Sequence, residues 1–196
     1  MADEKIKLDP EKILELEFEY ARTTAEQAQD DRTAIMTLYL ILVGGVGSAI
    51  AAISQMSAAP GFNVPHGVLA LIFLLLGITG FFTVMKLVRL RQAWNDSALA
   101  MNQIKDFYRE RFPELNQAFR WKTETLPALG KPWTITFNLV LLVAIIDSIA
   151  MGVAVYFTDR RVPAGEYLIA AFVAIVFVFW QLWYYFYQLP ISKKQG

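Results

Sequence analysis

One ionisable side chain lies deep inside a long apolar segment of this chain. Asp147 stands next to Ser148 in the third of four such segments. A charged carboxylate at the centre of a membrane-crossing helix costs roughly 2.5–3.5 kcal/mol, so it is expected to face protein or a cavity. Two interpretations stay open: a carboxylate that lines a pore or binds a proton or cation, and a carboxyl that joins helices by a hydrogen bond, for example to Ser48 or Thr79.

The residue types that most other site chemistries need are scarce. The chain has no cysteine and one histidine, His66, beside Pro65. Thiolate metal sites, disulfides and histidine-based triads are therefore not indicated. The glycines of 44–47 lie inside an apolar run with no preceding strand, so they are not a dinucleotide-binding loop. The sequence predicts no enzyme, no metal site and no cofactor.

Small residues form a second pattern, in the first two apolar runs. They recur at intervals of three and four residues, which lets helix backbones approach closely in lipid, either within one subunit or between subunits. We therefore predict helix packing and homo-oligomerisation at these positions. They are Gly44, Gly47, Ser48, Ala51, Ala52, Gly77 and Gly80.

Four apolar runs must position these residues, at about 33–56, 67–88, 134–157 and 167–187. Each is long enough to cross the ~30 Å hydrocarbon layer of a bilayer as a helix. The whole chain is 56% hydrophobic, above the roughly 45–50% of an ordinary soluble domain. The sequence thus predicts an all-α protein with four transmembrane helices and the lipid bilayer as its first partner. Its net charge of zero indicates no nucleic-acid partner.

The basic residues predict the orientation and the segments of the chain. Sixteen of the 18 Lys and Arg residues lie in the N-terminal segment, the central segment and the tail. Because short cytoplasmic segments are enriched in Lys and Arg, both termini are expected in the cytoplasm, with the spans in the inner (plasma) membrane. The predicted segments are an N-terminal helix at 1–32, hairpin 1 at 33–88, a helical segment at 89–132, hairpin 2 at 133–188 and a tail at 189–196.

Aromatic residues mark the predicted cytoplasmic boundary. Tyr and Trp are enriched at the headgroup level, which favours an aromatic belt over a ligand-binding aromatic box. The predicted interfacial anchors are Trp133, Trp180, Trp183 and Tyr184, with Tyr185 and Tyr187 in the same cluster.

The segments outside the spans are predicted to form a cytoplasmic helical layer. After the start signal Asp9-Pro10-Glu11, neither Gly nor Pro occurs until Gly44, so one long helix is expected. It carries two apolar stripes, one at 13, 16 and 20 and the other at 14, 18, 21, 25 and 28, and two stripes require two neighbours. The second span is expected to continue to Phe112, with a break at 95–97 as an alternative, and a shorter helix is expected at 114–124.

The layout resembles that of the small prokaryotic membrane effectors grouped as SLATT proteins. The matching part is 10–112, where the run Glu17-Phe18-Glu19-Tyr20-Ala21 leads through Asp31-Arg32 into the first hairpin. The second hairpin is additional to the two-span pattern of that family. The resemblance implies a self-associating, pore-like protein that acts on the inner membrane under the control of a cytoplasmic partner, for instance in antiviral defence.

Three functions are compatible with these patterns. The first is a homo-oligomeric protein with a pore-like or membrane-effector role, in prokaryotic defence or stress response. The second is a small ion- or proton-coupled transporter centred on Asp147. The third is a membrane anchor or scaffold subunit for a cytoplasmic partner.

Overall fold

The computed structural model describes residues 9–56, 64–158 and 166–191. Every regular element in these ranges is a helix, which confirms the predicted all-α class. The long helices are α1 (Pro10–Met56), α2 (His66–Arg111), α3 (Ile135–Thr158) and α4 (Glu166–Gln188), with short 3-10 helices at Pro113–Gln117 and Thr123–Thr125. Four helices are long and apolar enough to cross a membrane. Predicted features in 1–8, in the two hairpin loops 57–63 and 159–165, and in the tail 192–196 lie outside the described residues.

Helix α1 begins at the predicted start signal and continues without interruption. The Asp9 carboxylate accepts hydrogen bonds from the backbone N–H groups of Glu11 and Lys12, at 3.2 and 3.4 Å. These bonds satisfy donors that the first helical turn otherwise leaves unpaired. The helix then runs for 47 residues, or about 70 Å at 1.5 Å per residue. It is therefore longer than the bilayer is thick and extends out of it.

The four long helices pack in chain order. Helix α2 packs against α1 on one side and α3 on the other, and α3 in turn packs against α4. The centre of this arrangement is apolar, and its fully buried members lie on α2, α3 and the end of α4: Val84, Leu87, Val88, Val140, Val143, Tyr185 and Leu189. Helices α1 and α4 are thus the two edges of the subunit, and each has a face that no described helix covers.

Beyond the apolar spans, α1 and α2 continue side by side as an extramembrane layer, defined here as 10–32 and 89–132. One of the two predicted apolar stripes faces α2, with Ala21, Ala25 and Ala28 buried. Farther from the spans, the Lys105 ammonium of α2 lies 5.8 Å from the centre of the Phe18 ring of α1, a second contact between the two helices. The other stripe, at 13, 16 and 20, is exposed, with 49–69% of each residue's area accessible.

The central segment agrees with the prediction in one place and differs from it in another. Helix α2 is continuous through 95–97, as expected, and the alternative of a break there is wrong: Asn95 and Ser97 are buried residues of the helix and do not act as caps. The predicted helix at 114–124 is wrong: two short 3-10 helices stand there, and Ala118, expected to be buried, is exposed. Pro113 and the loss of a continuous apolar stripe leave too little burial to hold a longer helix in place.

The connection into α3 is held against the end of α4. The backbone N–H of Gly130 donates to the Pro190 carbonyl at 3.3 Å, and the Gln92 amide donates to the Gln188 carbonyl at 3.2 Å. Gly130 lies so close to the Leu189 carbonyl that a side chain at this position would collide with it. The boundary between layer and membrane is therefore a packed junction of α2, the connection and α4.

Candidate functional site

Asp147 is fully buried and takes part in a polar contact between α3 and α4. The Gln181 amide nitrogen donates to Asp147 Oδ1 at 2.8 Å and approaches Ser148 Oγ at 3.4 Å. The side chains of Asp147 and Gln181 have no exposed surface, and Ser148 is 3% exposed. The three residues therefore form a closed buried polar cluster inside one subunit, and Asp147 does not line an open channel there.

The buried polar cluster is incompletely hydrogen-bonded. Among the described residues, Asp147 Oδ2, Gln181 Oε1 and the Tyr39 hydroxyl are buried without a hydrogen-bond partner. The Tyr39 hydroxyl, on α1, lies within electrostatic reach of Asp147. Buried polar atoms without partners are rare because each costs roughly 1–3 kcal/mol, so such a group indicates a function or an additional ligand. A proton or a small cation is the simplest species that would satisfy these oxygens.

Helix α2 can approach α3 closely beside this cluster only because it has glycine at two positions. A Cβ at Gly80 would lie 2.8 Å from Asp147 Cγ, and a Cβ at Gly77 would lie 3.3 Å from the Asp147 carbonyl oxygen. These two predicted small residues therefore lie at an α2–α3 contact within the subunit. Gly152, on the other side of α3, approaches the Ala170 carbonyl of α4 in a similar way.

The hydrogen-bond partners suggested for Asp147 are not the ones found. Ser48 Oγ donates to the Gly44 carbonyl at 2.8 Å, and Thr79 Oγ1 donates to the Leu75 carbonyl at 2.8 Å, each within its own helix. The partner is Gln181, which stands between Trp180 and Leu182 in an otherwise apolar run. A single amide among apolar residues in a span is a signal of buried pairing, but it is weaker than a charge.

The small residues of α1 lie on a surface that no described helix covers. A Cβ added at Gly44, Gly45 or Gly47 would meet nothing within 4 Å, and Ser48, Ala51 and Ala52 are exposed. At about 100° per residue, an outward stripe of small and polar side chains runs along the span, interrupted by Leu40. We call it the α1 stripe: Thr33, Thr37, Gly44, Ser48, Ala51 and Gln55.

The outer surface of α4 has the opposite character. Its exposed side chains are large and apolar, for example Leu168, Phe172 and Phe179, at 66–73% exposure. Such residues suit contact with lipid tails, whereas small and hydroxylic residues gain little from lipid and are enriched at helix–helix interfaces. The two edges of the subunit are therefore not equivalent: α4 is suited to lipid and the α1 stripe to protein or water.

The predicted anchors divide into exposed and packed rings. Trp133 and Trp183 are 82% and 60% exposed, and Trp133 has a φ of 64°, the left-handed region that few side chains adopt. Trp180 stacks on Phe81 of α2, with ring centres 4.5 Å apart, and Tyr184 meets the same ring at 6.0 Å. Tyr185, grouped with the belt from the sequence, is fully buried, so that assignment is wrong for this residue.

In the part of the chain that the structure describes, no three His, Asp or Glu side chains stand together as metal ligands. Comparison with protein-family models, with curated proteins and with solved structures gave no match. Any functional conclusion therefore depends on the geometry of the chain itself.

Proposed function

We propose that this chain is a homo-oligomeric membrane protein that associates through α1 and has a pore-like or membrane-effector role. One observation carries the proposal: the α1 stripe is small and polar toward both ends of the span, with Leu40 between Thr37 and Gly44, yet it is uncovered in the single subunit. The effector aspect draws on the architectural resemblance of 10–112 to SLATT proteins. We place the layer and both termini in the cytoplasm, because most basic residues lie there.

Two features support a second copy of the chain as the partner of the α1 stripe. Three small positions of the stripe, at 44, 48 and 51, allow close backbone contact between identical helices. The exposed apolar residues at 13, 16 and 20 lie on the same helix outside the span, about 100° around its axis from the α1 stripe. Association between the extramembrane layers of two copies would bury them with a hydrophobic gain. The hydroxyl and amide groups of Thr37, Ser48 and Gln55 provide a polar lining where several α1 helices surround an axis.

The test is the mass of the assembly in nanodiscs, measured by native mass spectrometry for wild type and for Ser48→Ile. The wild type is expected as a discrete assembly of four or more subunits that conducts ions in reconstituted liposomes. Isoleucine at 48 places a branched side chain on the α1 stripe and is expected to reduce the assembly to smaller species. Because Ser48 is exposed in the subunit, its fold should remain intact.

The matched control is Ala49→Ile, which adds a similar volume on the same helix. Ala49 is also exposed but lies about a third of a turn away from the α1 stripe. It should leave both the mass and the conductance unchanged. A wild-type monomer or dimer would exclude the pore-like role and direct attention to the anchor or scaffold function.

A second candidate function is ion- or proton-coupled transport centred on Asp147. The observation that favours it is the set of buried oxygens without partners around this carboxyl. Asp147→Asn preserves the shape and the Oδ1 acceptor but removes the titratable group. If Asp147 carries a proton or cation, this variant should abolish transport into liposomes with the assembly mass unchanged.

Ser148→Ala serves as the control for that measurement, since it removes a neighbouring polar group from the same cluster without removing the carboxyl. Transport that persists at the wild-type rate in Asp147→Asn would show that the carboxyl has a packing role.

A further inference from the structure

A cavity of about 310 Å³ lies where the extramembrane layer meets the spans. It is formed by three helices at one level: α1 just before its span begins, α2 just after its span ends, and the first turn of α3. Arg32 contributes from α1 and Arg91 from α2, with Thr134 at the start of α3. Neither arginine was singled out by the sequence patterns as part of a site.

The two arginines face this cavity without a carboxylate to balance them. Among the described residues, no Asp or Glu oxygen lies within 4 Å of either guanidinium group, and no described lining residue is acidic. They are near enough for the charge of Arg32 to oppose that of Arg91. Two like charges held together in a partly buried space are unfavourable, so this arrangement favours an anion between them.

Arg91 is held in place by contacts that leave its terminal nitrogens available. Its Nε donates to the Leu129 carbonyl at 3.4 Å, and its guanidinium carbon lies 4.8 Å from the centre of the Trp94 ring. No other hydrogen bond of this side chain is found in the described parts of the chain. A planar guanidinium fixed in this way is suited to a bidentate contact with phosphate.

Further donors line the same cavity. The Gln29 amide is on the α1 wall, and the start of α3 is on the opposite wall. Thr134 caps α3 by accepting the Phe137 N–H at 3.2 Å. The first N–H groups of α3, at Ile135 and Thr136, have no intrahelical partner and carry the positive end of the helix dipole. All of these groups favour a negative ligand.

We propose that this cavity binds the phosphate group of an anionic phospholipid, with Arg32 and Arg91 as its ligands. A soluble phosphate compound offers the same chemistry. The lipid is favoured because the cavity lies at the boundary of the spans, where headgroups are found, and because Leu90 and Ile135 give its wall an apolar part for the glycerol and upper acyl chain.

The test is native mass spectrometry of the full chain, released from micelles that contain either phosphatidylglycerol or phosphatidylcholine. Lipid adducts are counted per subunit, so the result does not depend on the assembly proposed above. Wild type should retain phosphatidylglycerol in preference to phosphatidylcholine. Arg32→Gln should weaken that retention by about tenfold, since it removes a charge-assisted contact. Arg32 has no ion pair in the described structure, so this variant is expected to fold.

Arg89→Gln is the matched control, because it removes the same charge at the same depth from an exposed position outside the cavity. Its phosphatidylglycerol retention should equal that of wild type. Arg91→Lys is a second variant, which keeps the charge but loses the guanidinium fork, and it should also weaken retention.

Inorganic phosphate distinguishes the two sources of the ligand. If millimolar phosphate displaces phosphatidylglycerol from wild type and from Arg89→Gln alike, the cavity recognises the phosphate group as proposed. If phosphate binds in the absence of any lipid preference, the lipid assignment is wrong. Equal retention of both lipids by wild type, or equal losses in Arg32→Gln and Arg89→Gln, would overturn the proposal.

Discussion

At the scale of single residues, the buried polar cluster depends on the absence of a side chain as much as on the groups that are present. Asp147 was identifiable from sequence because a carboxylate in an apolar run is rare and costly. Gln181 was not identified, because an amide carries no charge and no rule of spacing links 147 to 181. Gly80 was expected to aid helix packing, and the structure shows that the neighbour it accommodates is the carboxylate itself.

Gly80→Ala is predicted to destabilise the subunit. The new Cβ would collide with the Asp147 side chain, whose position is fixed by Gln181, so α2 and α3 must separate. Overpacking of this kind costs about 1–3 kcal/mol. The measurement is the free energy of unfolding in a mixed detergent titration.

Gly45→Ala is the control for that titration. Its Cβ meets nothing within 4 Å, and alanine is the better helix former. We expect no loss of stability there. Equal destabilisation by the two substitutions would show that the contact with Asp147 does not explain the Gly80 result.

At the scale of elements, the long helices were predictable and the central connection was not. Helices α1 and α2 contain no Pro after their first turns, and their apolar spacing is periodic, so both could be anticipated to their ends. The 113–125 region has no such period. Its conformation is set by individual tertiary contacts: Thr123 Oγ1 donates to Asp106 Oδ2, and Arg109 Nη1 donates to Asp106 Oδ1, each at 2.6 Å.

The contacts of Asp106 predict a pH dependence. Partial burial raises its pKa, but hydrogen bonds from Thr123 and Arg109 outweigh that effect and bring the pKa below the ordinary 3.8. A carboxyl whose pKa is lowered on folding stabilises the folded state fully above its unfolded pKa, and this contribution disappears as the pH falls through the folded-state pKa. The stability difference between wild type and Asp106→Asn should therefore be constant above about pH 5 and shrink below pH 4.

Because Asp106 is partly exposed, the difference at neutral pH should not exceed about 1 kcal/mol. Thermal unfolding at a series of pH values measures it. Glu110→Gln, an exposed change of the same type on the same helix, should show no such difference. A gap between wild type and Asp106→Asn that widens in acid would contradict the assignment.

At the scale of the whole molecule, the packing order of the helices could not be read from the sequence. Four apolar spans of similar length are equally suited to several arrangements, because lipid-facing and protein-facing residues are alike in hydropathy. The close approaches that select this arrangement involve only a few atoms, at Gly77, Gly80 and Gly152. They become recognisable only when the neighbour across each glycine is known.

The absence of cysteine from the chain makes its assembly open to crosslinking. A single Ser48→Cys substitution places one thiol on the α1 stripe, and oxidation in membranes is expected to give a disulfide-linked dimer between copies. Ala49→Cys should give far less. Equal crosslinking of the two variants would show collision in the bilayer rather than a defined contact through the stripe.

The unbroken course of α1 has a mechanical consequence. Because one rod carries the water-exposed residues at 13, 16 and 20 and also the α1 stripe, the two surfaces keep a fixed rotational phase. One residue inserted after Arg32 would turn one surface by about 100° relative to the other, whereas seven would restore the phase to within about 20°. A rotation of the extramembrane end of α1 about its axis would therefore also rotate the part of α1 inside the bilayer, because the helix has no break between them.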